Sequence, residues 1–224
     1  MRDSVVRISS HTANAICYYD YMRKIITATF ITMDGVMQAP GGPEEDSSEN
    51  FKYGGWQAYL GDDETSKVIN TYFAEPFELL LGRITYNIFA SYWPNHPEIE
   101  NVAKPFNATR KYVVSHNSIA LPWNNSHLIT GDVIEEIKKL KATEGPDLFI
   151  WGSGKLIQSL LTHDLIDKMH ILTYPVTIGS GKKLFAGGTK PKVFKVTDST
   201  VSPSGVIIAT YEPAGELKTG TIGQ

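Results

Sequence analysis

The sequence predicts an α/β fold, one mixed β-sheet flanked by helices, and three observations carry that prediction. Short apolar runs rich in β-branched and aromatic residues alternate with segments of helical spacing. Strands separated by single helices require parallel crossovers. The last two β-rich segments, Val193 to Thr200 and Val206 to Tyr211, are joined around Ser202-Pro203-Ser204-Gly205 and read as an antiparallel hairpin at the C-terminal end.

The elements follow in chain order. Ile25 to Thr32 is an apolar, β-branched run that stops at Asp34-Gly35, and Phe77 to Leu81 is a continuous apolar run suited to burial on both sheet faces. Lys111 to Ser115, Asp147 to Trp151 and Lys168 to Thr173 have the same strand character, whereas Asp63 to Phe73, Arg83 to Tyr92 and Gly154 to Leu161 carry helical spacing. Asp132 followed by Glu135 is an acidic variant of the capping box, so a helix is expected from Val133 to about Lys141. Residues 1–21 show neither period, and strand periodicity starts just after Met22, which reads as an alternative start preceded by a disordered or extension leader. The folded domain is expected over 22–213, with a flexible tail over 214–224. Gln38 to Gly55, rich in Gly, Pro, Ser and acidic residues, is a long loop of the kind that serves function.

The 224 residues carry 21 Lys+Arg against 24 Asp+Glu, a formal charge of −3, which supplies no electrostatic footprint for nucleic acid or anionic lipid. With 42% hydrophobic and 20% charged residues the chain can bury an ordinary core, and small-molecule chemistry is the class left. No apolar run approaches the roughly 18 residues of a membrane span, and no signal peptide is evident, so a cytoplasmic location is expected. Cys17 is the only cysteine, and an incidental thiol is the preferred reading. The six histidines have no helical zinc spacing, so no metal is expected, and no G-x-S-x-G elbow is present.

In an open α/β sheet, ligands bind beyond the carboxyl ends of the strands. Leu81-Gly82-Arg83-Ile84-Thr85 turns a buried strand directly into a helix: Gly82 admits close backbone approach, the helix start offers free N–H groups, Arg83 adds a cation and Thr85 a hydroxyl. Taken alone, Gly-Arg at a strand end is common, and a purely structural turn is the preferred reading. Trp151-Gly152-Ser153-Gly154-Lys155 repeats the arrangement. Leu156 stands where a Walker motif needs Ser or Thr, and Ile157 where the dinucleotide fingerprint needs its third Gly, so neither nucleotide motif is met. Gly179-Ser180-Gly181-Lys182-Lys183 reads as a tight turn with a solvated basic tip. Two strand-to-helix turns, each with glycine and a cation, on one rim are suited to gripping a dinucleotide. Ser115-His116 closes a third strand there, as an adenosine-end contact or as turn chemistry. Trp56, Tyr59, Tyr72, Phe73, Tyr86, Phe89, Tyr92 and Trp93 offer stacking surfaces, with core packing as the plainer reading.

The ordered set Thr32-Met33-Asp34-Gly35, Leu81-Gly82-Arg83-Ile84-Thr85-Tyr86, Tyr112-Val113-Val114-Ser115, Ile150-Trp151-Gly152-Ser153-Gly154-Lys155-Leu156 and Thr173-Tyr174-Pro175-Val176 through Gly179-Ser180-Gly181-Lys182-Lys183-Leu184-Phe185 resembles the dihydrofolate reductase superfamily. It is most similar to bacterial proteins resembling the reductase domain of the riboflavin-biosynthesis deaminase/reductase, over roughly Met22 to Pro213. The resemblance implies a three-layer dihydrofolate reductase-like sheet, NADPH as hydride donor, and a homodimer. By the family pattern Gly82, Arg83 and Thr85 would hold cofactor phosphates, and Ser115 and His116 would face adenosine. Gly152, Ser153, Gly154, Lys155 and Leu156 would line the pyrophosphate, backbone at Phe30 and Met37 would seat the nicotinamide, and Thr173 would stand near the substrate. Asp34 is the candidate polar group at the reacting centre, as proton relay or loop anchor, with a simple turn-forming Asp as the alternative.

Two departures follow. His116 stands where a permanently basic residue often selects the 2′-phosphate, so NADH is the alternative cofactor. The pterin-orienting carboxylate has no clear counterpart, since Asp62, Asp63 and Glu64 precede the helix, which argues against reduction of dihydrofolate itself. With one cysteine the chain has no P-C-x-x-C element, so the paired deaminase signature is not met. The expected activity is hydride transfer to a C=N or C=O of a small cyclic substrate resembling a pterin, pyrimidine or flavin precursor. The alternative is a non-catalytic nucleotide- or flavin-binding protein on the same scaffold.

Overall fold

Strand β1 (Ile25–Thr32) is buried along most of its length, as its run of Ile, Ala, Thr and Phe requires, and it lies at the centre of the sheet. The computed structural model describes residues 22–223; the leader expected over 1–21 lies outside them. The remaining strands are β2 (Phe77–Gly82), β3 (Lys111–Val114), β4 (Ser126–Ile129), β5 (Asp147–Trp151), β6 (Lys168–Tyr174), β7 (Val193–Val201) and β8 (Ile207–Gly215). They form one sheet in the order β4-β3-β2-β5-β1-β6-β8-β7. Strands β1 to β6 run parallel, and β8 is antiparallel to both β6 and β7. The register Ile25↔Leu148 to Ala28↔Trp151 on one side and Ile26↔Lys168 to Thr32↔Tyr174 on the other brings the carboxyl ends of β1, β5 and β6 to one rim.

Helices cover both faces and make three layers. On one face α4 (Val133–Lys141) and α5 (Gly154–Thr162) set Ile137, Ile157, Leu160 and Leu161 against Ile25, Leu80, Leu148 and Ile150. Each such fully buried side chain contributes roughly 1.5–3 kcal/mol relative to exposure. On the other face α1 (Asp63–Thr71) packs Val68 and Ile69 toward Phe30, Leu172 and Ile208. There α2 (Arg83–Tyr92) and α3 (Glu100–Ala108) bury Tyr86, Phe89 and Phe106 against Leu79, Leu81 and Val113.

The observed elements depart from sequence expectation in a few places. Helix α3 and strand β4 carry no strong sequence signal: α3 contains Pro105 and has no side-chain cap, and β4 is four residues at the sheet edge. Helix α1 ends at Thr71, two residues early, and β8 runs to Gly215, so the expected tail begins inside a strand. Lys182 is no solvated tip. Its ammonium lies 2.7 Å from Asp46 Oδ2 and 2.6 Å from Ser48 Oγ, strapping the 38–55 loop to the turn after β6. Of the aromatics, Tyr86 and Phe89 are core, whereas Tyr59 is fully exposed.

Candidate active site

The carboxyl end of β2 leads straight into α2 at Gly82, and that of β5 leads into α5 through Gly152 and Ser153. Neither helix start has a side-chain cap. The contrast within the molecule is direct: Asp62 accepts from Thr65 N at 2.8 Å to cap α1, and Asp132 accepts from Glu135 N at 3.2 Å to cap α4. The first N–H groups of α2 and α5 are thus left for an external acceptor, and the dipole of each helix favours an anion there.

The two turns are knitted together. Ser153 Oγ accepts from Gly82 N at 3.0 Å, and Thr85 Oγ1 accepts from Ser153 N at 3.0 Å. Gly152 has φ +69°, and a Cβ there would come within 3.2 Å of Thr85 Cγ2, so glycine is needed both for conformation and for the approach. Ser153 itself is left-handed, at φ 55°, ψ 44°, a strain of roughly 1–2 kcal/mol that the interlocking hydrogen bonds offset. Arg83 and Lys155, one at each helix start, are exposed and enter no salt bridge among the described residues. The side chain of Leu156 turns into the core.

Ser115 follows Val114, which pairs with Gly82, so β3 ends beside the same rim. The hydroxyl of Ser115 is engaged locally, donating to Asn117 O at 2.8 Å, and His116 is exposed. From the β1 side, Met37 reaches the start of α5: a Cβ on Gly154 would lie 2.6 Å from Met37 Sδ. Phe30 is buried, edge-on to Trp151 at 5.4 Å and to Tyr174 at 5.9 Å. Trp56 covers Tyr174 at 5.4 Å and donates its indole N–H to Gln38 O at 2.8 Å.

Asp34 accepts from Thr32 Oγ1 at 2.6 Å, from Ile178 N at 3.2 Å and from Gly179 N at 2.8 Å. These hydrogen bonds pull its carboxyl down to about 2, so it is ionised at neutral pH and fastens the β1 turn to the loop after β6. The contacts are those of an anchor. Thr173 pairs with Ile31 and Ile207, whereas Phe30 pairs with Leu172, so Thr173 and Phe30 point to opposite faces of the sheet and are not brought together. Asp62 turns its second oxygen to Ser204 N at 2.9 Å, which commits the carboxylate to backbone.

Sequence reasoning passed over two groups at this rim. Gln38 donates to Asp46 O and Ser48 O and accepts from Lys182 N at 3.0 Å, organising the long loop. Tyr174, beside Phe30, has its phenol pushed up to about 12 by burial and by the charge of Asp62, so it is protonated at neutral pH. The motif Thr173-Tyr174-Pro175-Val176 contains a signal for Tyr174, because strand alternation puts it on the face of Phe30. No group of His, Cys, Asp and Glu able to hold a metal occurs among the described residues. Among them, too, no helix is long and apolar enough to cross a membrane.

Comparison with known proteins bears on the fold and the family. The chain is 26% identical over 192 residues to the uncharacterised protein YyaP of Bacillus subtilis, covering 84% of this chain and 94% of that one. A Shewanella sp. PV-4 protein assigned by name to riboflavin biosynthesis superposes with a TM-score of 0.63 at 22% identity, covering 85% of this chain and 99% of the other. Dihydrofolate reductase from Enterococcus faecalis, solved with NADP(H), superposes with a TM-score of 0.55 at 14% identity, covering 85% and 96%. The fold is therefore dihydrofolate reductase-like. Residues 23–208 match the RibD C-terminal domain family, and the chain belongs to that family.

Proposed function

We propose that this protein is an NADPH-dependent reductase that transfers hydride to a C=N or C=O carbon of a small cyclic substrate resembling a pterin, pyrimidine or flavin precursor. The observation that carries the reading is the pair of helix starts without side-chain caps, locked together through Gly82, Thr85 and Ser153 and flanked by the exposed cations Arg83 and Lys155. This donor set fits a dinucleotide's phosphates, because it offers N–H groups and positive charge without a competing carboxylate. A bound NADPH would supply the hydride. Gly82, Arg83 and Thr85 would hold one phosphate, and Gly152 through Leu156 the pyrophosphate, with Ser115 and His116 toward the adenosine. Since His116 is not permanently charged, NADH is the alternative donor.

The chain's own residues supply orientation and dryness. Phe30, Trp151 and Tyr174 form an aromatic wall that excludes water, and Met37 fixes the loop after β1 against α5. Asp34 holds the β1 turn as an anchor and carries no proton to give at neutral pH. The proposal includes a homodimer, as the family resemblance implies. A second reading, a nucleotide- or flavin-binding protein without turnover, draws on the Asp62 carboxylate being spent on Thr65 N and Ser204 N.

Loss of 340 nm absorbance in a screen of pterins, pyrimidines, flavin precursors and small cyclic imines tests the reading. Turnover on one of these classes is the expected result. Saturable NADPH binding without turnover on any of them would favour the second reading, and no binding of either dinucleotide would overturn the reductase reading.

A further inference from the structure

A cavity of about 380 Å3 lies on the α1 face of the sheet, at the opposite end of the strands from Gly82 and Ser153. Its position is fixed by Phe77, Asp147 and Lys168, the first residues of β2, β5 and β6, whereas the rim described above lies at the carboxyl ends of those strands. The volume falls within the roughly 300–1,000 Å3 of small-molecule sites.

Ile26 and Phe149 form the apolar floor, and the last turn of α1 brings Val68 and Tyr72 over it. The rings of Tyr72 and His170 stack at 4.1 Å and 20°. His170 Nδ1 meets Thr210 Oγ1 at 2.9 Å, which leaves Nε2 free among the described residues. Desolvation, with Lys168 adding to it, pushes His170 down to about 4, so the imidazole is neutral at neutral pH. Burial and the nearby charge of Asp198 push the Tyr72 phenol up, so it stays protonated.

Three carboxylates, Glu75, Asp147 and Asp198, line the cavity against one ammonium, that of Lys168. Asp147 is occupied in part, accepting from Lys24 N at 2.7 Å, but neither Glu75 nor Asp198 enters a salt bridge among the described residues. These groups do not converge as a metal site. A negative rim spread around an aromatic and aliphatic floor matches a cation that has its own apolar body: the charge is attracted by the carboxylates and the ring faces, and the body displaces water from the floor. An anion would meet uncompensated carboxylates, and neutral His170 offers it no charge.

We infer that this cavity is a second small-molecule site, for an organic ammonium ion, separate from the rim formed by Gly82 and Ser153. The inference is independent of the proposed reductase activity.

The test follows the His170 ring signals of the full chain by NMR, assigned with a His170→Gln variant, during titration with benzylammonium to about 10 mM, in the range where a millimolar Kd is read. Benzoate and benzyl alcohol are the controls for charge and for the apolar body. A saturable shift with benzylammonium, absent with benzoate, and weakened about tenfold by Asp198→Asn is the expected result. Asp198 lies on an exposed strand, so the variant retains its fold, checked by circular dichroism. No saturable shift, an equal response to benzoate, or full affinity in the Asp198 variant would each overturn the inference. A His170 shift that follows protein dilution, with sedimentation showing a dimer, would also overturn it, because a second copy would then fill the cavity.

Discussion

Gly154→Ala sets two opposing effects against each other at the point where the β1 loop meets α5. Gly154 is the first residue of α5, and its φ lies outside the left-handed region, so the backbone admits alanine. Replacing glycine by alanine in a helix stabilises by up to about 1 kcal/mol. The added Cβ, however, would lie 2.6 Å from Met37 Sδ and 3.3 Å from its Cε. Overpacking costs about 1–3 kcal/mol, and the thioether is the movable end of an adaptable side chain, so the cost belongs at the lower end of that range. The single variant should therefore lose about 0.5–1 kcal/mol. With Met37→Ala already present the contact is gone, and Gly154→Ala should stabilise by about 0.5 kcal/mol. The coupling between the two sites is then about 1–1.5 kcal/mol, measured as a double-mutant cycle from urea midpoints at constant m. A coupling below about 0.3 kcal/mol would refute the packing of Met37 on the α5 start.

Three further outcomes are expected. Arg83→Ala with Lys155→Ala should weaken NADPH binding by about ten- to a hundredfold in calorimetry, at roughly 1 kcal/mol for each exposed cation, and flatten its salt dependence; unchanged affinity would remove the phosphates from this rim. Asp34 has a folded-state value of about 2 against an ordinary 3.8, so its contribution to stability is present above about pH 4 and is lost as pH falls toward 2. Thermal melts between pH 2 and 5 should accordingly show a shallower acid loss in Asp34→Asn than in the parent. Lys111, buried with its ammonium on Asn107 O and Thr109 O, is pushed down to about 8 from 10.5 by desolvation. Between pH 8 and 10.5 the unfolded chain binds the extra proton, so stability should rise with pH through that window, and Lys111→Met should abolish the rise in denaturant titrations.

The central elements were legible because each combined a strong local signal with full burial. The β-branched run of Ile25–Thr32 and the apolar run Asp147–Trp151 coincide with β1 and β5, and the Asp132 cap places the start of α4 at Val133. Helix α3 was not legible. Pro105 reads as a breaker, and what holds the helix end is Lys111, from the following strand, on the carbonyls of Asn107 and Thr109. The two glycine-cation turns could be placed on one rim from strand order alone. That Ser153 Oγ accepts from Gly82 N, across 71 residues, could not, and neither could the Lys182–Asp46 strap across 136. Thr173 shows the limit of motif order: moving one residue along β6 changes the face, and it is Tyr174 that shares the face of Phe30.

Whether the helix starts at Gly82 and Ser153 receive the phosphates of a pyridine dinucleotide decides the function of this rim. Backbone amide NMR of the isotopically labelled protein during titration with NADPH tests this most directly. The amides of Arg83, Ile84 and Thr85, together with those of Gly154, Lys155 and Leu156, should move in concert with a single saturation curve. Saturable binding that leaves those six amides in place would contradict the account.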